Sequence, residues 1–315
     1  MNTALASLTD RVLAGDHSAI ARMLTRVERR SKGIDADLAT LHLHSGRAHV
    51  IGVTGPAGSG KSTLTSALAK FYRSLGRTVG VLAVDPSSSY SGGAILGDRI
   101  RMIELSGDEG TYIRSLATRG ALGGLSRAAL DGVSVLDAAG KDVVILETVG
   151  VGQAEVDIMG VAHSVVVVSI PGTGDSVQAI KAGLLEVADI HVVNKSDRLG
   201  ADQVVAELRD MLRLSKRRAH QWNVPIVSTI ASQHSGLEEL VGELDKHRGW
   251  LRDQGGLEDY ARRTSGTRVR WAAEELVLRN LRQGNPAFDA VVARVAARSL
   301  DPISAAHELV RTATS

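Results

Sequence analysis

Residues 55–63 read Gly55-Pro56-Ala57-Gly58-Ser59-Gly60-Lys61-Ser62-Thr63 and follow directly on the short apolar run 50–53. This stretch matches the pattern GxxxxGK[ST], in which glycines allow successive backbone N–H groups to surround the phosphates of a nucleotide. Lys61 is expected to place its ammonium group against the outer phosphates, and the Ser62 hydroxyl to ligate magnesium. The helix that follows turns its positive end toward the same phosphates. The stretch therefore predicts a nucleotide-triphosphate site to which all nine residues contribute.

From residue 50 onward, short apolar runs alternate with glycine-rich turns and amphipathic stretches, which is typical of strands and helices around a parallel sheet. We expect an α/β fold of the P-loop NTPase type, with a mostly parallel sheet flanked by helices. The candidate strands are 50–53, 79–84, 143–146, 164–170, 190–193 and 225–228.

Helical periodicity marks both ends of the chain. Apolar residues recur at helical spacing before residue 45 and again beyond about residue 250. We therefore expect an N-terminal helical segment at 1–45, a P-loop domain at 46–250 and a C-terminal helical extension at 251–315. The extension has no candidate strand and needs a surface to pack against, which is either the α/β domain or a second copy of the chain. Of the two we favour the second copy, so that the extension is a dimerisation arm.

Composition limits the kind of protein. The 315 residues are 43% hydrophobic, enough for a sizeable core, and the formal net charge is only +2. So small a charge gives no single-sign field that would favour nucleic acid or membrane as the main partner. The absence of cysteine excludes disulfides and thiolate metal sites. The first 16 residues contain no apolar signal-peptide core, and no run reaches transmembrane length. We expect a cytoplasmic protein.

A second motif, Asn194-Lys195-Ser196-Asp197, directly follows the apolar run 190–193. It lies at the carboxyl end of a candidate strand, where α/β sheets bind ligands. The NKxD pattern is typical of guanine recognition, because a carboxylate at Asp197 can accept hydrogen bonds from guanine N1–H and the 2-amino group. The stem of Lys195 can lie over the base, and Asn194 can tie this loop to the phosphate-binding one. The base is therefore expected to be guanine.

A third motif is the run VVILETVG at 143–150, a buried strand that ends in a carboxylate followed three residues later by glycine. Glu147 is expected to hold magnesium directly or through water, and the Gly150 N–H to touch the γ-phosphate. Many GTPases carry a glutamine after this glycine that orients the attacking water, but this chain has Val151. An aliphatic side chain cannot orient water. Either Gln153 reaches in, another loop supplies the group, or hydrolysis is slow and waits for a partner.

The fourth motif is the segment 85–99, which follows the candidate strand 79–84 and is rich in serine and glycine, as is typical of a loop. Asp85 at the strand end and Asp98 beyond the glycines are candidates for magnesium coordination and for positioning water. The alternative is that both carboxylates cap turns or helices.

The four motifs and their connecting sequence resemble the MeaB/ArgK family of P-loop GTPases. The resemblance covers about residues 45–245, and it is carried by 85–102, by LETVGVGQAE at 146–155 and by PGTGDSVQAIKAGLLEVADIHVVNKSD at 171–197. It implies a GTP-hydrolysing protein that associates with adenosylcobalamin-dependent methylmalonyl-CoA mutase, gates cofactor loading and protects the mutase. It also implies a homodimer joined through the C-terminal helical extension.

By position, the resemblance implies that 55–63 bind the phosphates of GTP or GDP and that the base is read by Asn194, Lys195 and Asp197. It implies a magnesium set of Ser62, Asp85, Asp98 and Glu147. It implies that the catalytic residues are Lys61, Asp98, Glu147, Gly150 and Gln153. Where the family usually has Ser-Ala after the last strand, this chain has Ile230-Ala231 followed by Ser232. We expect a backbone N–H of this loop to meet guanine O6.

Two other functions are open at this stage. An ATP-using kinase or ATPase linked to amino-acid transport would share the first motif, but it has no use for NKxD or for the glutamate-to-glycine sensor. A GTPase with the same core could instead serve another cobalamin enzyme or a metal-insertion target. A nickel-insertion GTPase is expected to carry a His- or Cys-rich tract, whereas this chain has ten scattered histidines and no cysteine.

Overall fold

The structure is a computed structural model, and it describes residues 6–85, 107–117, 126–148, 160–172, 188–214, 222–281 and 284–314. The strands are β1 (His49–Thr54), β2 (Val79–Asp85), β3 (Thr111–Ala117), β4 (Val143–Thr148), β5 (Ser164–Ser169), β6 (Ile190–Asn194) and β7 (Ile226–Thr229). The helices are α1 (Leu8–Leu13), α2 (His17–Arg29), α3 (Ile34–His42), α4 (Lys61–Ser74), α5 (Ser126–Ala138), α6 (Ala201–Leu214), α7 (Leu237–Asp253), α8 (Gly256–Asn280), α9 (Pro286–Ala296) and α10 (Pro302–Thr314).

The described strands form one sheet in the order β3-β2-β4-β1-β5-β6-β7, and every neighbouring pair is parallel. Every residue of β1, β4, β5 and β6 is buried, as expected for parallel strands covered on both faces. β1 lies between β4 and β5: strands β2 to β4 lie on one side of it, and the connection from β4 to β5 takes the chain to the other side. A ligand crevice is expected at such a switch point, outside the carboxyl ends of the strands. The α/β fold predicted from the sequence is confirmed.

One face of the sheet is covered by α4 and α7. Leu64, Leu68 and Tyr72 of α4 lie in the same buried cluster as Leu240 and Leu244 of α7. The apolar residues of α4 recur every four positions, which puts them on one side of the helix. This packing fixes the helix that begins at the phosphate-binding residues.

The N-terminal helices pack against α5 and β3. The buried side of α2 includes Leu24, whose Cδ2 lies within van der Waals reach of Gly132 of α5. Ion pairs surround this contact: Arg30 Nη1 lies 3.3 Å from Asp131 Oδ2, and Arg114 pairs with Glu28. The residues before β1 thus contribute to the core of the α/β fold.

A chain of buried polar groups lies at the amino ends of β1 and β5. Ser164 Oγ is 2.8 Å from His49 Nε2 and 2.8 Å from His247 Nδ1. His247 Nε2 lies 3.4 Å from Asp189 Oδ1. His49 and Ser164 are completely buried and His247 is 1% exposed. The Asp-His-Ser order resembles a hydrolase triad, but no substrate could reach the serine, so we assign the chain a structural role.

By contact density the chain divides into two compact units, Met1–Glu258 and Asp259–Ser315. In the second unit, α9 and α10 bury Val291 together with Ala305 and Leu309. Arg294 Nη1 donates to both carboxylate oxygens of Glu308, at 2.8 and 3.0 Å, which pins the two helices together. None of the described helices is both long and apolar enough to cross a membrane.

Candidate nucleotide-binding site

The phosphate loop (residues 55–63) leads from the end of β1 into α4, and two of its glycines are required by close approach of neighbouring chain. Gly55 has φ +140°, and a Cβ there would lie 2.3 Å from the Val168 carbonyl oxygen of β5. Gly60 has φ +89°, and a Cβ there would lie 2.5 Å from Asn194 Nδ2. Gly58 also has a positive φ, +79°, but a Cβ there would meet nothing within 4 Å. Glycine at 55 and 60 thus serves packing as well as backbone conformation.

Lys61 is held over the phosphate loop by the loop's own backbone. It is the first residue of α4 and is only 7% exposed. Its Nζ donates to the carbonyl oxygens of Gly55, at 2.8 Å, and of Pro56, at 3.0 Å. An ammonium group at the positive end of a helix attracts anions, so the position suits the phosphates of a nucleotide.

Ser62 and Glu147 meet beside the loop. Ser62 Oγ donates to Glu147 Oε1 at 2.5 Å, and Glu147 is buried at the end of β4, opposite Val53 of β1. Thr148 Oγ1 donates to Thr54 Oγ1 at 3.0 Å and ties the ends of the same two strands together. A hydroxyl and a carboxylate are hard oxygen ligands of the kind that Mg²⁺ prefers. The two residues therefore fit that ion, although the described residues include no cluster of three or more His, Asp or Glu side chains that could hold a metal.

Asn194 connects three loops. The residue ends β6 and is 2% exposed. Its Nδ2 donates to the Ser59 carbonyl oxygen of the phosphate loop at 2.9 Å. Its Oδ1 accepts from Thr229 Oγ1 at 3.2 Å and from the Ala231 N–H at 3.1 Å. The NKxD loop, the phosphate loop and the turn after β7 are therefore joined through one amide side chain.

Lys195 and Asp197 occupy different positions in the NKxD loop. Lys195 has φ +56°, which turns the chain sharply after β6, and its Nζ donates to the Gly58 carbonyl oxygen at 2.9 Å. Asp197 is exposed, and its carboxylate has no hydrogen bond or ion pair with any described residue. It is therefore open to an incoming ligand.

The residues after β7 lie at the same edge of the sheet. Ala231–Gln233 form a single 3₁₀ turn, and the Ile230 N–H donates to the Ser235 carbonyl oxygen at 3.1 Å. Because the Ala231 N–H is engaged by Asn194, it already has an acceptor within the protein. Ser232 follows it in the turn and is exposed.

Four residues of the predicted site cannot be placed. Asp85 ends β2 at the carboxyl edge of the sheet, but its side chain lies outside the described part of the structure. Asp98, Gly150 and Gln153 lie outside the described residues altogether. Their roles in magnesium binding, γ-phosphate sensing and water positioning stay predictions.

Thr229 is a residue of the site that sequence reasoning missed. It is completely buried, it stands opposite Asn194 in the pairing of β6 with β7, and its hydroxyl bonds that side chain. The signal available in the sequence was a hydroxyl residue directly beyond the candidate strand 225–228. A threonine there is unremarkable until the order of the strands is known.

Comparisons with known proteins find relatives of this chain. A putative GTPase of Pyrococcus horikoshii is 44% identical over 301 residues, which are 95% of this chain and 95% of that protein. The mouse mitochondrial protein named methylmalonic aciduria type A homolog is 39% identical over 193 residues, 60% of this chain and 46% of its own length.

The crystal structure of an LAO/AO transport system kinase is similar over 99% of this chain and 100% of its own, with a TM-score of 0.69 and 26% identity. A family model for the methylmalonyl-CoA mutase-associated GTPase MeaB matches residues 20–286. That match takes in the phosphate loop, the Glu147 strand and the NKxD loop, as the motifs predicted. The chain therefore belongs to the MeaB family of methylmalonyl-CoA mutase-associated GTPases.

Proposed function

We propose that this GTPase binds GTP and GDP with Mg²⁺ at the carboxyl edge of its sheet and acts in the cytoplasm as a chaperone of methylmalonyl-CoA mutase. In this role it gates the loading of adenosylcobalamin and protects the mutase. The observation that carries the nucleotide part is the three-way contact of Asn194 with Ser59, Thr229 and Ala231. It makes the base-reading and phosphate-binding loops one connected unit. The family description supports the mutase as the client.

In this proposal the chain's own groups bind and orient the nucleotide. Lys61 supplies the cation for the outer phosphates, and the open carboxylate of Asp197 accepts hydrogen bonds from guanine N1–H and the 2-amino group. Ser62 and Glu147 would hold Mg²⁺, which neutralises charge on the phosphates during hydrolysis. We further propose Asp85, Asp98, Gly150 and Gln153 for the roles that the sequence predicts, with the turn at Ile230, Ala231 and Ser232 beside guanine O6.

Base recognition is tested by titrating purified protein with GTP and with ATP in the presence of Mg²⁺. Asp197→Asn should weaken GTP binding about 100-fold, because one of the two hydrogen bonds is replaced by an amide N–H that faces a guanine donor, and the other loses its negative charge. The same variant should gain affinity for xanthosine nucleotides. Asp202→Asn, at an exposed position at the start of α6, is the matched control and should behave like wild type.

These titrations also distinguish the proposed function from a second candidate. Because a structure named LAO/AO transport system kinase is similar to this chain, the second candidate is an ATP-using kinase or ATPase linked to amino-acid transport. Tighter binding of ATP than of GTP would support that function and overturn ours.

The mutase proposal is tested by hydrolysis rates and by pull-down. Val151 replaces the glutamine that orients water in many GTPases, so we expect slow GTP hydrolysis that the mutase accelerates. Pull-down of mutase subunits should differ between the GTP and GDP states. Equal rates with and without the mutase, and no complex in either state, would point to another client enzyme.

A homodimer is part of the proposal. In the second unit, Val269 and Leu276 of α8 are 69% and 60% exposed, and Ile303 of α10 is 73% exposed. Val269 and Leu276 are seven residues apart and therefore lie on one side of α8, where they form an apolar stripe for a second copy to cover. Val269→Glu combined with Leu276→Glu should convert the dimer to a monomer in light scattering, whereas Arg262→Glu, at an exposed position of α8, should not. A wild-type monomer at all concentrations would contradict this part.

A further inference from the structure

A second concave site lies far from the candidate nucleotide-binding site. A cavity of about 320 Å³, here called the arginine cavity, is lined by Arg77, Asp245, Arg248, Gly249, Arg252 and Leu257. Helix α4 begins at the phosphate loop, and Tyr72 lies about 16 Å further along it, just before the turn that carries Arg77. The cavity therefore belongs to the amino edge of the sheet, opposite the nucleotide site.

The cavity wall carries three positive charges and one negative charge, and its charges are poorly matched. Arg77 Nη2 is 3.9 Å from Asp245 Oδ2, which is beyond hydrogen-bond distance. Arg252 Nε reaches Asp253 Oδ1 at 3.4 Å, with both side chains more than two-thirds exposed. Arg248 is fixed by one bond from Nη2 to the Arg47 carbonyl oxygen at 2.7 Å. Each guanidinium group has five donors, so among the described residues most donors of this trio have no protein acceptor.

We propose that the arginine cavity binds the phosphate group of a small phosphorylated molecule between Arg77, Arg248 and Arg252. Guanidinium forks match phosphate oxygens in pairs. Three arginines and one aspartate give the lining a net positive charge that balances a phosphate dianion better than it balances a ligand with a single carboxylate. The volume exceeds that of phosphate alone, and Leu257 offers an apolar contact for the carbon part of an ester.

The test uses the full chain saturated with GDP and Mg²⁺, so that the phosphate loop is filled. Inorganic phosphate and glycerol 3-phosphate are titrated by calorimetry at constant ionic strength, with potassium chloride as the reference salt. Wild type should bind both probes saturably. Arg77→Gln and Arg252→Gln, whose own ion pairs are weak, should each reduce affinity at least about tenfold. Arg213→Gln, at an arginine of α6 that is 74% exposed, is the matched control and should not change it.

Absence of saturable binding, or binding that survives both arginine substitutions, would overturn the proposal. So would binding of an acidic peptide in place of either phosphate probe, since that would assign the cavity to a protein partner.

Discussion

Replacing Asn194 with aspartate keeps the shape of the side chain and removes one donor. In the native protein Asn194 Nδ2 donates to the Ser59 carbonyl oxygen at 2.9 Å. In the variant that carbonyl oxygen would face a carboxylate oxygen, which is also an acceptor. An unsatisfied buried group costs about 1–3 kcal/mol, and a carboxylate at a position only 2% exposed adds a desolvation penalty. We expect the free energy of unfolding to fall by about 3–5 kcal/mol. That is a large part of the roughly 5–15 kcal/mol typical of a domain.

The assay is urea unfolding without nucleotide, followed by tryptophan fluorescence. Trp222 and Trp250 both pack against His247 in the first unit and report on its folding. Thr229→Val, which removes one donor to the same amide, should cost about 1 kcal/mol and remain soluble even if the aspartate variant does not. Asp197→Asn should leave the midpoint unchanged. The reasoning is refuted if Asn194→Asp unfolds at the wild-type midpoint while GTP binding is lost.

Three further predictions follow from the same structure. Gly55→Ala should abolish tight GTP binding, because its Cβ would lie 2.3 Å from the Val168 carbonyl oxygen. Gly58→Ala meets open space and should cost only about 1–2 kcal/mol of backbone strain. GTP affinity is measured for both variants by calorimetry, and an equal loss of affinity in the two would contradict the packing argument. Ser62→Ala should raise the Mg²⁺ concentration needed for half-maximal GTP hydrolysis, unlike Ser74→Ala at the exposed end of the same helix; an unchanged Mg²⁺ dependence would remove Ser62 from the metal set. Stability should decrease as the pH falls from about 6.5 to about 4, because burial lowers the pKa of His163 and His247 to about 4, so the unfolded chain takes up protons that the native chain does not. The loss should reach about 2–3 kcal/mol for each histidine in unfolding experiments at a series of pH values, and a flat profile over that range would contradict it.

Strands covered on both faces were predictable, because they read as continuous apolar runs. β4 is the example, with Val143 to Leu146 all buried. The strand that escaped prediction is β3, Thr111–Ala117, at the edge of the sheet. Its sequence TYIRSLA mixes polar and apolar residues, because an edge strand packs less evenly than a central one.

Site residues were predictable where a short motif must supply particular atoms, as in the phosphate loop and at Asn194. Contacts between motifs were harder to foresee. Lys195 bonds the Gly58 carbonyl oxygen across 137 residues of sequence, and such a meeting depends on the order of the strands. The buried chain through Ser164 has the same origin, because its histidines come from β1 and from α7. Spacing in the sequence says nothing about either contact.

The three-way contact of Asn194 has a consequence for altering this protein. A residue that joins three loops and belongs to the base-reading motif cannot be changed for specificity alone, because any substitution also disturbs its contact with the phosphate loop. Asp197 is placed differently, exposed and without bonds to the described chain. Nucleotide preference can therefore be redesigned at Asp197 with little structural penalty. Asn194 is the position where preference and stability change together.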